Sequence, residues 1–128
     1  MLTMENTEEK VKAVLSESLD IEVDEIEMNH LLFLNFNIES TEILEITFRL
    51  EQEFNFVMGD DEFWNIASKI ANEGLYNGTF SDEAIRLIQM NFNISEEVIQ
   101  GLDSPFSLYN HITVQDLVNY AMSKANSQ

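Results

Sequence analysis

Ser40 is the residue whose surroundings point most directly to chemistry. It stands in the stretch Asn35-Phe-Asn-Ile-Glu-Ser-Thr-Glu-Ile-Leu-Glu-Ile-Thr-Phe-Arg-Leu-Glu-Gln-Glu-Phe54, where an irregular run gives way to an acidic amphipathic segment. A hydroxyl in the first turn of a helix lies among free backbone N–H groups, at the positive end of the helix dipole. A phosphodiester on that oxygen would be stabilised there. The competing role is structural: Ser40 or Glu39 as an ordinary N-cap, which is the commoner fate of a serine before a helix.

Other chemistries find less support. His30 and His111 have no second ligand at helical spacing, which argues against zinc. Asp20-x-Glu22-x-Asp24 hints at a calcium loop. However, Glu25 stands where that loop needs glycine, and Leu31 where it needs glutamate. No phosphate-binding glycine loop occurs. Ser40 has no identifiable histidine base, so a hydrolase triad is unsupported. Without cysteine the chain forms no disulfide, thiolate metal site or cysteine nucleophile.

Charge narrows the partners. Of 128 residues, 24 are acidic and 6 basic, for a net charge of -18. Six scattered cations cannot neutralise a phosphate backbone, so nucleic acid is excluded, and an anionic membrane would repel the chain. The longest apolar run, Leu31 to Leu34, is far too short for stable membrane insertion. The first residues lack the basic start and apolar stretch of a signal peptide. A cytoplasmic monomer is the expectation. Acidity does not mean disorder here, because 45% of residues are apolar and 10% aromatic. Four glycines and one proline favour long helices over many tight turns.

These constraints predict an all-α bundle in one domain. Asn6 and Glu9 have the spacing of a capping box, ahead of Val11, Val14 and Leu15 on one stripe. Residues 20–37 show no sustained period and read as a long loop. Ser40 to Phe54 is the clearest helix, with Ile43, Ile46, Thr47, Leu50 and Phe54 on one face. A third helix is predicted over 60–73, with Phe63, Ile66, Ala67, Ile70 and Ala71 inward and Gly74 as its stop. Asp60, Asp61 and Glu62 suit its positive end. Ser81, Ser95 and Thr113 are the expected caps of three more helices; Gly101 ends the second of them, and the last carries Val114, Leu117, Val118 and Ala121 inward. The polar tail after Met122 is expected to fray. Asn-Phe-Asn-Ile occurs at 35–38 and 91–94, either by coincidence or as two similar turns into helices.

Several of these segments together resemble the acyl carrier protein family, in which Asp-Ser-Leu opens the second helix. Glu39-Ser40-Thr41 stands for that tripeptide, and Glu51-Gln-Glu-Phe54 for the helix end. Glu9-Lys10-Val11 with Val14-Leu15, the loop Val23-Asp24-Glu25-Ile26, and Ile112-Thr-Val-Gln-Asp-Leu-Val-Asn-Tyr120 are also similar to the family. The similarity covers roughly residues 1–58 and the last 17. Glu39 replaces Asp, Thr41 replaces Leu, and Asn37 replaces a usual Gly, though Asn tolerates left-handed backbone. Gly101-Leu-Asp-Ser-Pro105 mimics the motif but leads into no acidic helix, so Ser104 reads as a turn residue before Pro.

The resemblance implies a carrier rather than an enzyme. Its cofactor would be 4′-phosphopantetheine, transferred from coenzyme A to Ser40 with Glu39 beside it, and acyl groups would ride as thioesters on the arm's thiol. Partners would be a phosphopantetheinyl transferase and acyl-loading, chain-extending or acyl-transferring enzymes of fatty acid, lipid or polyketide-type biosynthesis. Their basic patches would meet Thr41, Glu42, Leu44, Glu45, Phe48 and Glu51; Leu44 and Phe48 equally suit a place in the core. The alternatives are an unmodified acidic interaction module and an aminoacyl or peptidyl carrier. The chain is long for this family: Thr113 lies 73 residues after Ser40. The carrier body is expected at about 5–58 and 111–125, with an inserted helical segment at about 60–110 holding Trp64, Tyr76, Phe80, Phe92, Phe106 and Tyr109. That segment is expected to enlarge the apolar interior or add a partner surface.

Overall fold

The computed structural model describes residues 2–59, 62–73, 75–76 and 79–127. The first helix, α1, runs Met4–Leu19 and starts earlier than the Asn6–Glu9 spacing suggests. Thr3 is its cap, with Oγ1 accepting from the Asn6 N–H at 3.2 Å. A hydroxyl three residues before a free N–H wins here because Asn6 is already inside the first turn. The helix stops at Asp20, which takes a left-handed conformation.

The stretch 20–37 is not wholly loop. It contains a 3-10 turn, Val23–Glu25, and a five-residue helix, α2, Leu32–Phe36. Long-range backbone bonds hold α2: the Leu32 N–H donates to the Ile112 carbonyl at 2.9 Å, and Leu31 pairs antiparallel with Thr113. Asn37 then turns the chain with φ 52°, as its replacement of Gly anticipates. The long helix α3 spans Ser40–Phe54. It packs against α1, and both pack against α7, Val114–Asn126. Val11, Leu15, Ile46, Leu50, Leu117 and Val118 close that three-helix interior and are fully buried. Removing one such side chain to Ala typically costs about 2–5 kcal/mol.

Between α3 and α7 lie α4 (Ile66–Glu73), α5 (Asp82–Asn91) and α6 (Glu96–Gln100), with 3-10 turns at Phe63–Asn65 and Pro105–His111. Asp60 and Asp61 at the expected helix start, and Gly74 at its expected stop, lie outside the described residues. Within 62–73 the chain enters by a 3-10 turn, and α4 begins only at Ile66. Phe63, Ile66, Ala67 and Ile70 are buried as expected, whereas Ala71 faces out. A two-residue antiparallel pair, Leu75 with Phe80 and Tyr76 with Thr79, forms the short hairpin that helical patterning does not anticipate. Ser81 and Ser95 cap α5 and α6 by accepting from Ala84 and Val98, and Gly101 ends α6. Ser104 precedes Pro105 at the start of a 3-10 turn, as a turn residue should. Trp64, Phe80 and Phe92 enter the core and Tyr109 packs against it, but Phe106 is half exposed. Both Asn-Phe-Asn-Ile stretches run out of a helix: Asn35 and Phe36 end α2, and Asn91 ends α5. Their backbones differ: Asn37 is left-handed, while Phe92, the residue closing α5, is extended.

The tail does not fray at Met122. The helix continues to Asn126, whose side chain pairs with the Leu2 backbone at 3.0 and 3.2 Å. Asp116, 2% exposed, accepts from the Thr113 N–H at 3.0 Å and the Asn93 N–H at 2.9 Å. It thereby caps α7 and fixes the chain leaving α5. No helix among the described residues is long and apolar enough to cross a membrane.

Candidate functional site

Ser40 is the first residue of α3, and the cap is its neighbour Glu39. The Glu39 N–H donates to Glu42 Oε1 at 2.9 Å, and the Glu39 carboxylate lies over the Glu42 N–H in a capping box. Two glutamates thus take over the duty a serine would otherwise perform. The Ser40 side chain is exposed, and its hydroxyl has no partner among the described residues. It sits beyond the left-handed turn at Asn37, at the positive end of a 15-residue helix. The arrangement offers a free oxygen nucleophile, open to solvent, where an attached anion is favoured. Of the two caps the sequence offers, Ser40 and Glu39, the structure uses Glu39, with Glu42 as its reciprocal partner three residues on.

The remaining residues named from the sequence all lie on α3, but they do not form one uniform strip. Thr41, Leu44, Glu45 and Phe48 follow one face at helical spacing. Leu44 is 72% exposed and Phe48 62%, so neither belongs to the core. Phe48 borders a shallow groove of about 220 Å³ between α1 and α3, lined also by Ala13, Val14, Arg49 and Gln52. The acidic side chains are partly occupied. Glu42 serves the cap. Glu45 accepts from Arg49 at 3.0 Å, and Arg49 also reaches Glu17 on α1. Glu51 is half-buried and accepts from the Met58 N–H at 2.9 Å, which turns it toward the chain leaving α3.

Glu62, expected from the sequence only to suit the positive end of a helix, holds the other end of that departing chain. Glu62 accepts from the Gly59 N–H at 2.6 Å, the Tyr120 hydroxyl at 2.9 Å and Lys124 at 2.7 Å. Burial alone would raise its pKa; these three donors outweigh burial and hold it below the ordinary carboxylate value. Partners 58 and 62 residues away leave no local signal.

Among known proteins, the chain is similar to the acyl carrier protein of Buchnera aphidicola subsp. Baizongia pistaciae. The two are 32% identical over 65 residues, which is 51% of this chain and 83% of the relative. The acyl carrier protein of Clostridium acetobutylicum is 33% identical over 60 residues, 47% of this chain and 78% of its own. That of Buchnera aphidicola subsp. Schizaphis graminum is 33% identical over 60 residues, 46% and 75% respectively. No family model matches the chain, and no solved structure does. All three relatives are more than 30% identical to the chain and are covered over more than two thirds of their length; with a helical bundle of the expected class, the chain belongs to the acyl carrier protein family.

Proposed function

We propose that this protein carries acyl groups as thioesters on a 4′-phosphopantetheine arm attached to Ser40. The observation that supports this best is the freedom of the Ser40 hydroxyl: exposed, unpartnered, and relieved of capping by Glu39. In this reading a transferase moves the phosphopantetheine group of coenzyme A to Ser40 Oγ. The P–O–P bond of coenzyme A breaks, the adenosine bisphosphate leaves, and the serine proton goes to solvent or to a base of the transferase. The new phosphodiester gains from the N-terminal dipole of α3. Glu39 and Glu42 hold that turn in place while adding negative charge beside it, so a transferase must meet the site with cations.

The docking face for transferases and acyl-handling enzymes of fatty acid, lipid or polyketide-type synthesis is Thr41, Leu44, Glu45 and Phe48. Two large exposed apolar side chains provide contact area there, and the surrounding acids speed encounter with basic patches. Glu42 and Glu51 contribute charge rather than free contacts, since both carboxylates already accept backbone hydrogen bonds. The carrier body comprises about 5–58 and 111–125, and about 60–110 is an insertion within one domain. The protein works as a cytoplasmic monomer.

The test is intact-protein mass spectrometry after incubation with coenzyme A and a promiscuous phosphopantetheinyl transferase. The expected result is one phosphopantetheine added to the native chain and none to Ser40→Ala. No mass gain with a competent transferase, or a gain retained in the variant, overturns the assignment.

A further inference from the structure

Trp64 is the one tryptophan of the chain and lies in the 3-10 turn Phe63–Asn65. Its side chain is only 9% exposed. The ring meets Phe63 edge-on at 4.8 Å and Phe33 edge-on at 5.9 Å, and Phe33 in turn lies 5.2 Å from Tyr109. The Trp64 carbonyl is satisfied by the Tyr109 hydroxyl, which donates to it. The indole Nε1–H is not: it is enclosed and has no acceptor among the described residues. A buried donor left unpaired is costly, and a buried tryptophan normally finds a partner for that group.

One ring, Phe33, connects this donor to the segment that leads into Ser40. Phe33 belongs to α2, seven residues before Ser40. Three of those steps are helical and four are at most extended, so the two Cα atoms are no more than about 19 Å apart. A phosphopantetheine arm has some fourteen bonds from the serine oxygen to the sulfur, roughly 17 Å at extended-chain spacing, and a cargo adds its own length. The cover over Trp64 on that side is thin: Phe33 and Tyr109 are half-buried, and α2 has five residues. Each methylene of an acyl chain gains by leaving water, which supplies a reason for the tethered cargo to enter among these rings.

We infer that Trp64 sets cargo preference: its indole N–H donates to an oxygen on the acyl chain, so chains bearing an oxo or hydroxyl group are held better than saturated ones. This rests on the arm at Ser40 proposed above. The structural ground is the conjunction of an enclosed, acceptorless N–H with an aromatic layer shared between α2 and the segment at 60–110.

The experiment loads the full chain from octanoyl-, β-hydroxyoctanoyl- and β-oxooctanoyl-coenzyme A with the same transferase. The readout is the single indole N–H cross-peak in a ¹H–¹⁵N NMR spectrum. Expected is a downfield shift with the two oxygenated chains and not with octanoyl, together with a Tm higher by roughly 3 °C. In Trp64→Phe that difference in Tm between cargoes disappears. A cross-peak that ignores the cargo, or moves as far with octanoyl, overturns the inference, and so does a cargo difference that persists in Trp64→Phe. Where the variant does not fold, the cross-peak of the native chain decides alone. Absence of any mass gain at Ser40 overturns the carrier reading and this one with it; full loading with an indifferent cross-peak overturns this one only.

Discussion

Lys124 Nζ lies 2.7 and 2.8 Å from the two carboxylate oxygens of Glu62. The contact ties the end of α7 to the point where the chain leaves the α1–α3–α7 body, and the Tyr120 hydroxyl and the Gly59 N–H complete it. At Gly59 an added Cβ would meet the Glu62 carboxylate, the far end of a flexible side chain that would have to shift.

Loss of that carboxylate should therefore cost stability in a pH-dependent way. The folded pKa of Glu62 is depressed, so its contribution is present above the unfolded value and is lost as pH falls through the folded one. Tyr120 is shifted the other way, first by burial and then by its bond to Glu62 and the charges of Glu62 and Glu51. Its contribution is present below the unfolded tyrosine value and fades as pH rises through the raised one. Glu62→Gln should lower Tm by roughly 5 °C at neutral pH, for about 2 kcal/mol of charge-assisted hydrogen bonding. Thermal melts of the two proteins should converge as pH falls below the ordinary carboxylate value. A gap that stays constant over that range would contradict the assignment.

Asp116 should be the least replaceable acidic residue of the chain. Replacing it with Ala removes the capping partner of Thr113 and leaves the Asn93 and Thr113 N–H groups short of an acceptor. The expected loss is about 3 kcal/mol, from one cap and one long-range bond to a buried charge. Denaturant titration measures it, and Glu96→Ala on the exposed start of α6 is the control that should change little.

What was legible in the sequence follows from how far the controlling contact reaches. Ser81, Ser95 and Thr113 were readable as caps because the N–H they serve lies three residues on. The helix Ser40–Phe54 was readable because its apolar period needs no distant partner. The five residues of α2 carry no period, and α2 is held by Ile112 and Thr113, some eighty residues later. The ordered tail depends on Lys124 meeting Glu62 and Asn126 meeting Leu2, pairs that no window contains. At the site, the position of Ser40 was legible. That Leu44 and Phe48 face solvent was not, because it depends on which side of α3 the helices α1 and α7 cover. An unpaired indole N–H at Trp64 leaves no trace in sequence, since burial and the want of an acceptor are both tertiary facts.

Ser40→Ala should separate stability from function. With the cap formed by Glu39 and Glu42, and the hydroxyl unpartnered, the substitution should change unfolding free energy by no more than about 0.5 kcal/mol. Glu39→Ala should instead cost about 1 kcal/mol, as loss of a cap does. Equal destabilisation by the two would return the capping role to Ser40.

Leu44→Ala and Phe48→Ala should leave Tm nearly unchanged, because both side chains are mostly exposed in the free protein. Each should reduce kcat/KM of an acyl-transferring partner by roughly tenfold, the effect of losing an apolar contact worth about 1.4 kcal/mol at a protein interface. A drop in Tm of several degrees would mean that the side chain packs within the chain instead.

Salt should act on the fold and on partner binding with opposite signs. A net charge of -18 sets 24 acids against 6 cations, and Lys10, Arg49 and Lys124 already have carboxylate partners. Raising ionic strength weakens those pairs, but exposed pairs are each worth at most about 1 kcal/mol, whereas repulsion is summed over the whole surplus of acids. Screening the repulsion should therefore win, and Tm should rise between about 0.05 and 0.5 M salt as the Debye length shortens. Association with a basic partner should slow over the same range, because the acids around α3 that speed encounter are screened as well. Differential scanning fluorimetry and stopped-flow binding read the two effects on one preparation. A Tm indifferent to salt would show that the acids are spaced too widely to strain the fold.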